Sequence, residues 1–213
     1  MSGAEALVPL LEALRSLLGW LRATKIPGVI IGGVAASLLG KPRVTGDVDA
    51  VVWIGDASWD DFIEAGRRFG IIPRRTDVIA FARRSRVLLL RHEPSTIDLD
   101  VSLGALPFEE EMIARARRHR FGRLSIPLPT PEDLIIMKAI AHRPRDFADI
   151  ESILEANPGI DEARIRDLVR EFAAVLEAPD LSTDLERLLS PRRRRAPRPP
   201  AAARARRPRK HSR

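Results

Sequence analysis

Two short acidic patterns carry the chemistry available to this chain. Asp47-Val48-Asp49 opens an apolar run that continues AVVWI, and Asp98-Leu99-Asp100 lies inside another, IDLDVSL. Side chains on a strand alternate faces with period two, so Asp47 shares a face with Asp49, and Asp98 with Asp100. Carboxylates a few ångström apart repel each other unless a cation lies between them. Magnesium suits such a place, because it takes hard oxygen ligands and is usually held by one or two carboxylates plus substrate phosphates. Taken singly, an Asp-x-Asp is more often a solvated strand end, and the second pair reads as the wet face of an antiparallel strand. Set together inside apolar runs, the acids need partners, since a charge removed from water is costly without one.

Gly32-Gly33 precedes Asp47 by thirteen intervening residues and stands between the apolar run Val29-Ile30-Ile31 and the helical pattern VAASLLG. By itself a Gly-Gly is only a turn. Between a buried strand and a helix, its bare backbone amides can cradle an anion. The spacing is not GxGxxG, which argues against a dinucleotide-binding turn. DVDAVVW lacks the third acid and the glycine of an EF-hand. His92, His119, His142 and His211 show no ligand spacing.

The elements that must hold these residues follow from periodicity. Leu7, Leu10, Leu11, Leu14, Leu17, Leu18 and Leu21 fall at helical spacing and give a first amphipathic helix. Val29–Ile31 reads as a buried strand, Gly32-Gly33 as a sharp turn, and VAASLLG as a helix ending at Gly40. Residues 47–54 and 97–103 read as strands, with short ones at 78–82 and 86–91. Asp56 or Ser58 caps a helix carrying Trp59, Phe62, Ile63 and Phe69. FEEEMIARARRHR reads as helix and RLSIPLP as strand. Thr130-Pro131-Glu132-Asp133 combines a capping hydroxyl, a proline at the first helical position and acids in the first turn. Helices then fill most of 131–190, separated at Pro144 and at Asn157-Pro158-Gly159. Trp20, Trp53 and Trp59 sit in apolar patterns and are expected in the core. The expected fold is α+β: a small mixed sheet flanked by helices over 1–127, a helical part over 128–190, and a disordered basic tail over 191–213.

Bulk composition agrees with a globular chain. Of 213 residues, 45% are hydrophobic, which is ordinary for such a protein. No apolar run approaches the roughly 20 residues a bilayer span needs. The N-terminus lacks a signal-peptide pattern, and there is no cysteine. No membrane partner is expected, and a cytoplasmic location is the default reading. Residues 191–213 hold ten Arg, one Lys and no acid; without them the formal charge of +7 becomes −4. That composition predicts disorder. The tail reads equally as a sequence-independent contact with nucleic acid and as a solubilising extension without a partner.

With Gly32-Gly33, Asp47-Val48-Asp49 and Ile97-Asp98-Leu99 in view, the chain resembles the polymerase-beta-like nucleotidyltransferase superfamily. KPRVTGDVDAVV looks like the Arg-x-Ser/Thr-x-Asp-x-Asp variant found in bacterial minimal nucleotidyltransferases. These include the toxins of abortive-infection type IV toxin–antitoxin systems. TPEDLIIMKAIAHRPRDFADIESIL resembles their C-terminal helical motif, and the likeness spans roughly residues 28–155. The resemblance implies a metal-dependent transfer of a nucleoside monophosphate from a triphosphate to an acceptor hydroxyl, with release of pyrophosphate. In it, Gly32 and Gly33 approach the triphosphate through their amides. Asp47 and Asp49 bind two Mg2+ ions, or Mn2+ in their place, and Asp98 binds the one that activates the hydroxyl. Asp100 departs from the pattern, which asks for an apolar residue, and ranks below Asp98. Arg43, Thr45 and Lys138 contact the triphosphate. Read without the resemblance, Lys138 is a solvated helix lysine, and Arg143, Arg145, Asp146 and Asp149 order a helix pair by i, i+3 and i+4 pairing. The acceptor stays open between a tRNA end, a protein and a small antibiotic, and a cognate antitoxin is an implied partner. The absent tyrosine and the 5% aromatic content argue against an extended base-stacking platform. The alternative is a module on the same fold that binds nucleotide or RNA without catalysis; the intact carboxylates count against it.

Overall fold

The computed structural model describes residues 3–55 and 57–190, so the expected disorder of 191–213 and capping by Asp56 lie outside the described residues. The elements run α1 (Gly3–Thr24), β1 (Gly28–Ile30), α2 (Gly32–Leu39), β2 (Asp47–Val52), α3 (Trp59–Gly66), β3 (Ile71–Pro73), α4 (Val78–Ser85), β4 (Val87–His92) and β5 (Ile97–Leu103). They continue with α5 (Pro107–Ala114), β6 (Arg117–Phe121), β7 (Leu124–Leu128), α6 (Pro131–Ala141), α7 (Pro144–Ala156), α8 (Glu162–Val175) and α9 (Asp180–Leu189). The fold is α+β with a mixed five-stranded sheet in the order β1-β2-β5-β4-β3. Only the central pair, β2 and β5, is parallel.

The centre of that sheet is where alternation matters. Val48, Ala50, Leu99 and Val101 are fully buried, so the intervening acids face the other side. Ala13, Leu17 and Trp20 of α1, also fully buried, join the same core. Each buried Leu or Val contributes roughly 1.5–3 kcal/mol. Trp20 stacks on Phe62 at 4.0 Å and donates its indole N–H to the Phe62 carbonyl. Trp53 and Trp59, expected in the core, are only half-buried.

Three readings need correction. The run at 78–82 is not a strand but the first part of α4, because Val78, Ile79 and Ala82 are grouped at helical spacing and Ala82 is the residue buried. FEEEMIARARRHR is helical only to Ala114, and its basic end is strand β6, paired antiparallel with β7. Beyond Ile113 the segment has no apolar stripe to hold a helix on the core, and Gly122, at φ 55°, turns the chain back. Gly32-Gly33 is a turn and a helix start at once: Gly32 has φ 59° and α2 begins there. Ser58, not needing Asp56, caps α3 by accepting from the Asp61 amide.

The C-terminal helices pack as the capping signal at Thr130 indicates: its hydroxyl accepts from the Asp133 amide. Leu134, Ile135 and Ile136 of α6 are buried, and α6 packs on α7 and α8. Helix α7 also packs on α2, which ties this part to the glycine helix across the expected division at 127/128. No helix among the described residues is long and apolar enough to cross a membrane.

Candidate active site

Parallel pairing of β2 with β5 sets Asp47 beside Asp98 and Asp49 beside Asp100. All four carboxylates therefore lie on one face, two on each of the two central strands. The glycine helix closes over this group. Ile31 donates its amide to the Asp49 carbonyl at 2.9 Å. A Cβ on Gly32 would stand 1.8 Å from Asp49 Oδ2, and one on Gly33 would stand 2.4 Å from Thr45 Oγ1. A side chain at either place would force Asp49 or Thr45 to move. Helix α2 starts without a side-chain cap and without an acid in its first turn, which leaves a helix start suited to an anion.

The electrostatics separate the acids. Burial, then the charges of Asp47 and Asp100, push the Asp49 carboxyl up to about 6, although a Gly33 amide hydrogen bond opposes this. Asp100 is also raised, by burial and by Asp47 and Asp98, with Arg74 pulling the other way. Asp98 is different: Arg91, and then Arg74, hold its carboxyl below the usual range. Arg91 donates to Asp98 Oδ1 at 2.7 Å and Arg74 to Asp98 Oδ2 at 2.9 Å, while the second arm of Arg74 binds Asp100. Asp49 and Asp100 are thus the two carboxyls raised by burial and neighbouring acids, with Arg74 as a partner of Asp100.

The remaining expected site residues fall into two groups. Thr45 donates to Asp47 Oδ1 at 2.8 Å, so it orients that acid. Arg43 forks onto Asp149 at 2.8 and 2.9 Å. Lys138, read without the resemblance as a solvated lysine, is instead buried between Asp146 at 2.9 Å and Asp149 at 2.6 Å. Asp149 therefore joins the loop before β2 to α6 and α7. Arg143, exposed at the start of α7, lowers the Asp49 carboxyl through its charge and makes no ion pair among the described residues. Arg74, Arg91 and the position of Arg143 escaped the sequence reading. Arg91 does carry a signal, since it is in register with Asp98. Arg74 has none, because it follows β3, a three-residue strand too short to read.

Could these residues hold divalent cations? Among the described residues no three acidic or histidine side chains stand as a finished cage. Asp47 and Asp49 nonetheless supply hard oxygens on one face beside a phosphate cradle, and Mg2+ commonly completes its shell from substrate phosphates and water. Asp47 and Asp49 are thus donors of the kind a divalent ion takes, two carboxylates on one face.

A family model for the AbiEii nucleotidyl transferase toxins of type IV toxin–antitoxin systems matches residues 23–210, and the chain belongs to that family. Among solved structures it is similar to the antibiotic-resistance factor ANT(2'')-Ia in solution, at 15% identity and TM-score 0.54, over 80% of this chain and 95% of that one. It is also similar to an antigenic nucleotidyltransferase-like protein from Paracoccidioides brasiliensis, at 21% identity and TM-score 0.46, over 83% and 92% of the two chains. The first of these shares the fold. No curated protein matches the sequence significantly. Enzymes of this kind generally use divalent metals.

Proposed function

We propose that the protein moves a nucleoside monophosphate from a nucleoside triphosphate to an acceptor hydroxyl at the face formed by β2, β5 and the start of α2. The acceptor oxygen attacks the α-phosphorus in line, the bond to the β-phosphate breaks, and pyrophosphate leaves. The observation that supports this best is the placing of Asp49 beside Gly32-Gly33, on one face with Asp47 and Asp100, where burial and then those two charges raise its carboxyl to about 6. Asp47 and Asp49 would hold the ions. A divalent ion held there, Mg2+ or Mn2+, would neutralise the triphosphate and would lower the pKa of the attacking hydroxyl. Asp100 is proposed as the third carboxylate in place of Asp98, whose two oxygens are engaged by arginines. Its raised carboxyl suits acceptance of the hydroxyl proton.

The chain's own residues supply alignment and charge. The start of α2 at Gly32 would favour the negative charge of the triphosphate, while the Gly33 amide donates to Asp49. Arg143 is the cation proposed to meet the phosphates. Thr45 holds Asp47, and Lys138 and Arg43 hold the loop through Asp149. Positioning and electrostatics of this kind account for most of the catalysis in phosphoryl transfer. Family membership supports a cognate antitoxin as partner and a toxic activity for the chain.

The experiment incubates the full chain with α-labelled nucleoside triphosphates, magnesium and, in separate arms, tRNA, cell protein and aminoglycoside. Magnesium-dependent labelling of one acceptor, lost in Asp47→Asn plus Asp49→Asn, is the expected result. Nucleotide binding with no transfer to any acceptor would instead make the chain a binding module.

A further inference from the structure

A basic surface stands apart from the acids. Residues 112–131 contain no Asp or Glu, and strand β6 (Arg117–Phe121) is exposed along its whole length. Arg115, just before it, is engaged by Glu111 and Asp133. Arg117, Arg118, Arg120 and Arg123 have no ion-pair partner among the described residues. Among the described residues strand β6 pairs only with β7, which leaves its other edge without a strand neighbour there. An exposed edge needs a charge or two to discourage strand pairing. Four arginines within seven residues exceed that, in a stretch 1–190 whose formal charge is −4.

The surroundings extend the surface in two directions. Arg118 shares a cavity of about 380 Å3 with Arg22 and Lys25 from the end of α1, and no carboxylate lines it. On the other side, Phe121 and Ile126 share a cavity of about 200 Å3 with Arg43 and Thr45. Thr45 is the residue that binds Asp47. The hairpin therefore joins a band of uncompensated cations to the loop beside the acids.

We infer that the β6–β7 hairpin, with Arg22 and Lys25, is the docking surface for the sugar-phosphate backbone of an acceptor RNA. The inference rests on the nucleotidyl-transfer reading for what the RNA does once docked. Residues i and i+2 of a strand lie about 7 Å apart, so a basic ribbon can meet successive phosphates of one polymer. Half-exposed Phe121 offers one ring face for a base at the end nearest the acids. An acidic protein fits less well, because protein interfaces need an apolar centre, and β6 carries no aliphatic side chain.

The test measures binding of fluorescein-labelled mixed tRNA to the full-length chain across a salt series. The variant is Arg117→Gln, Arg118→Gln, Arg120→Gln and Arg123→Gln together, with the corresponding four Arg→Lys changes as the charge-preserving control. The expected result is at least a roughly tenfold weaker Kd at about 100 mM salt for the Gln variant, and a log–log salt slope smaller by about 3, with the Lys variant near wild type. Labelled nucleotide transferred to RNA should fall in parallel, while nucleotide binding is unchanged. Unchanged RNA affinity and slope would overturn the inference, as would loss of polyglutamate binding with RNA binding intact. Hairpin-dependent binding without any transfer to RNA overturns the acceptor role. Asp49→Asn should keep RNA affinity and lose transfer, which separates failure of the surface from failure of the chemistry.

Discussion

Replacing Asp49 by Asn removes one charge from the crowded acids and keeps an oxygen that can accept from Gly33. The Asp49 carboxyl lies at about 6 in the folded chain against 3.8 in a model peptide, because of burial and then Asp47 and Asp100. A carboxyl raised by folding binds more protons in the native than in the unfolded state between those two values. Stability therefore falls as pH rises from about 4 to about 6, and the penalty is complete above that window. At about 1.4 kcal/mol per pKa unit the penalty reaches ~3 kcal/mol at most, and partial exposure of the side chain brings it toward ~1–2 kcal/mol. In chelator at pH 8, Asp49→Asn should therefore melt roughly 2–8 °C above wild type, at about 2–4 °C per kcal/mol for a chain this long. Thermal denaturation followed by circular dichroism at pH 4, 6 and 8 measures this. The gain should shrink as pH drops through 6 and vanish near 4. Millimolar Mg2+ should raise the melting point of wild type and leave the variant unmoved. A variant no more stable than wild type at pH 8, or a gain independent of pH, would refute the reasoning.

Other outcomes follow from the same geometry. Gly32→Ala places a methyl 1.8 Å from Asp49 Oδ2 at φ 59°; nucleotidyl transfer should drop roughly a hundredfold, as expected for about 1 Å of misplacement, in a label-transfer assay. Asp149→Ala strips Lys138 of one buried partner and Arg43 of both its carboxylate contacts, so urea unfolding should report a loss of about 3–5 kcal/mol. Arg74→Gln frees Asp98 and Asp100 from their shared guanidinium. It should lower the Mg2+ concentration for half-maximal transfer and cost up to about 1 kcal/mol in the same unfolding assay.

The acid strands were legible in the sequence because alternation in an apolar run fixes which face an acid takes. Asp47 and Asp49 lie where that rule puts them. The choice between Asp98 and Asp100 was not legible, since both satisfy the same alternation. The proposed preference for Asp100 rests on Arg91, which reaches only Asp98, while Arg74 reaches both acids and follows a strand of three residues with no pattern of its own. Lys138 shows the same limit. Helical periodicity places it on α6, but only the packing of α7 brings Asp146 and Asp149 around its ammonium group. Strand β6 was not legible, because RARRHR suits a helix by propensity, whereas RLSIPLP read correctly as the strand β7. The pairing with β7 and the turn at Gly122 decided otherwise.

Mn2+ binding followed by electron paramagnetic resonance, with a non-hydrolysable nucleoside triphosphate present, reads the gripping of cations without reliance on turnover. Wild type should hold two ions per chain. Asp49→Asn should lose both, and Asp100→Asn should weaken one at least tenfold more than Asp98→Asn does. Undiminished Mn2+ binding in Asp49→Asn, or a larger loss from Asp98→Asn than from Asp100→Asn, would contradict the arrangement of the site described above.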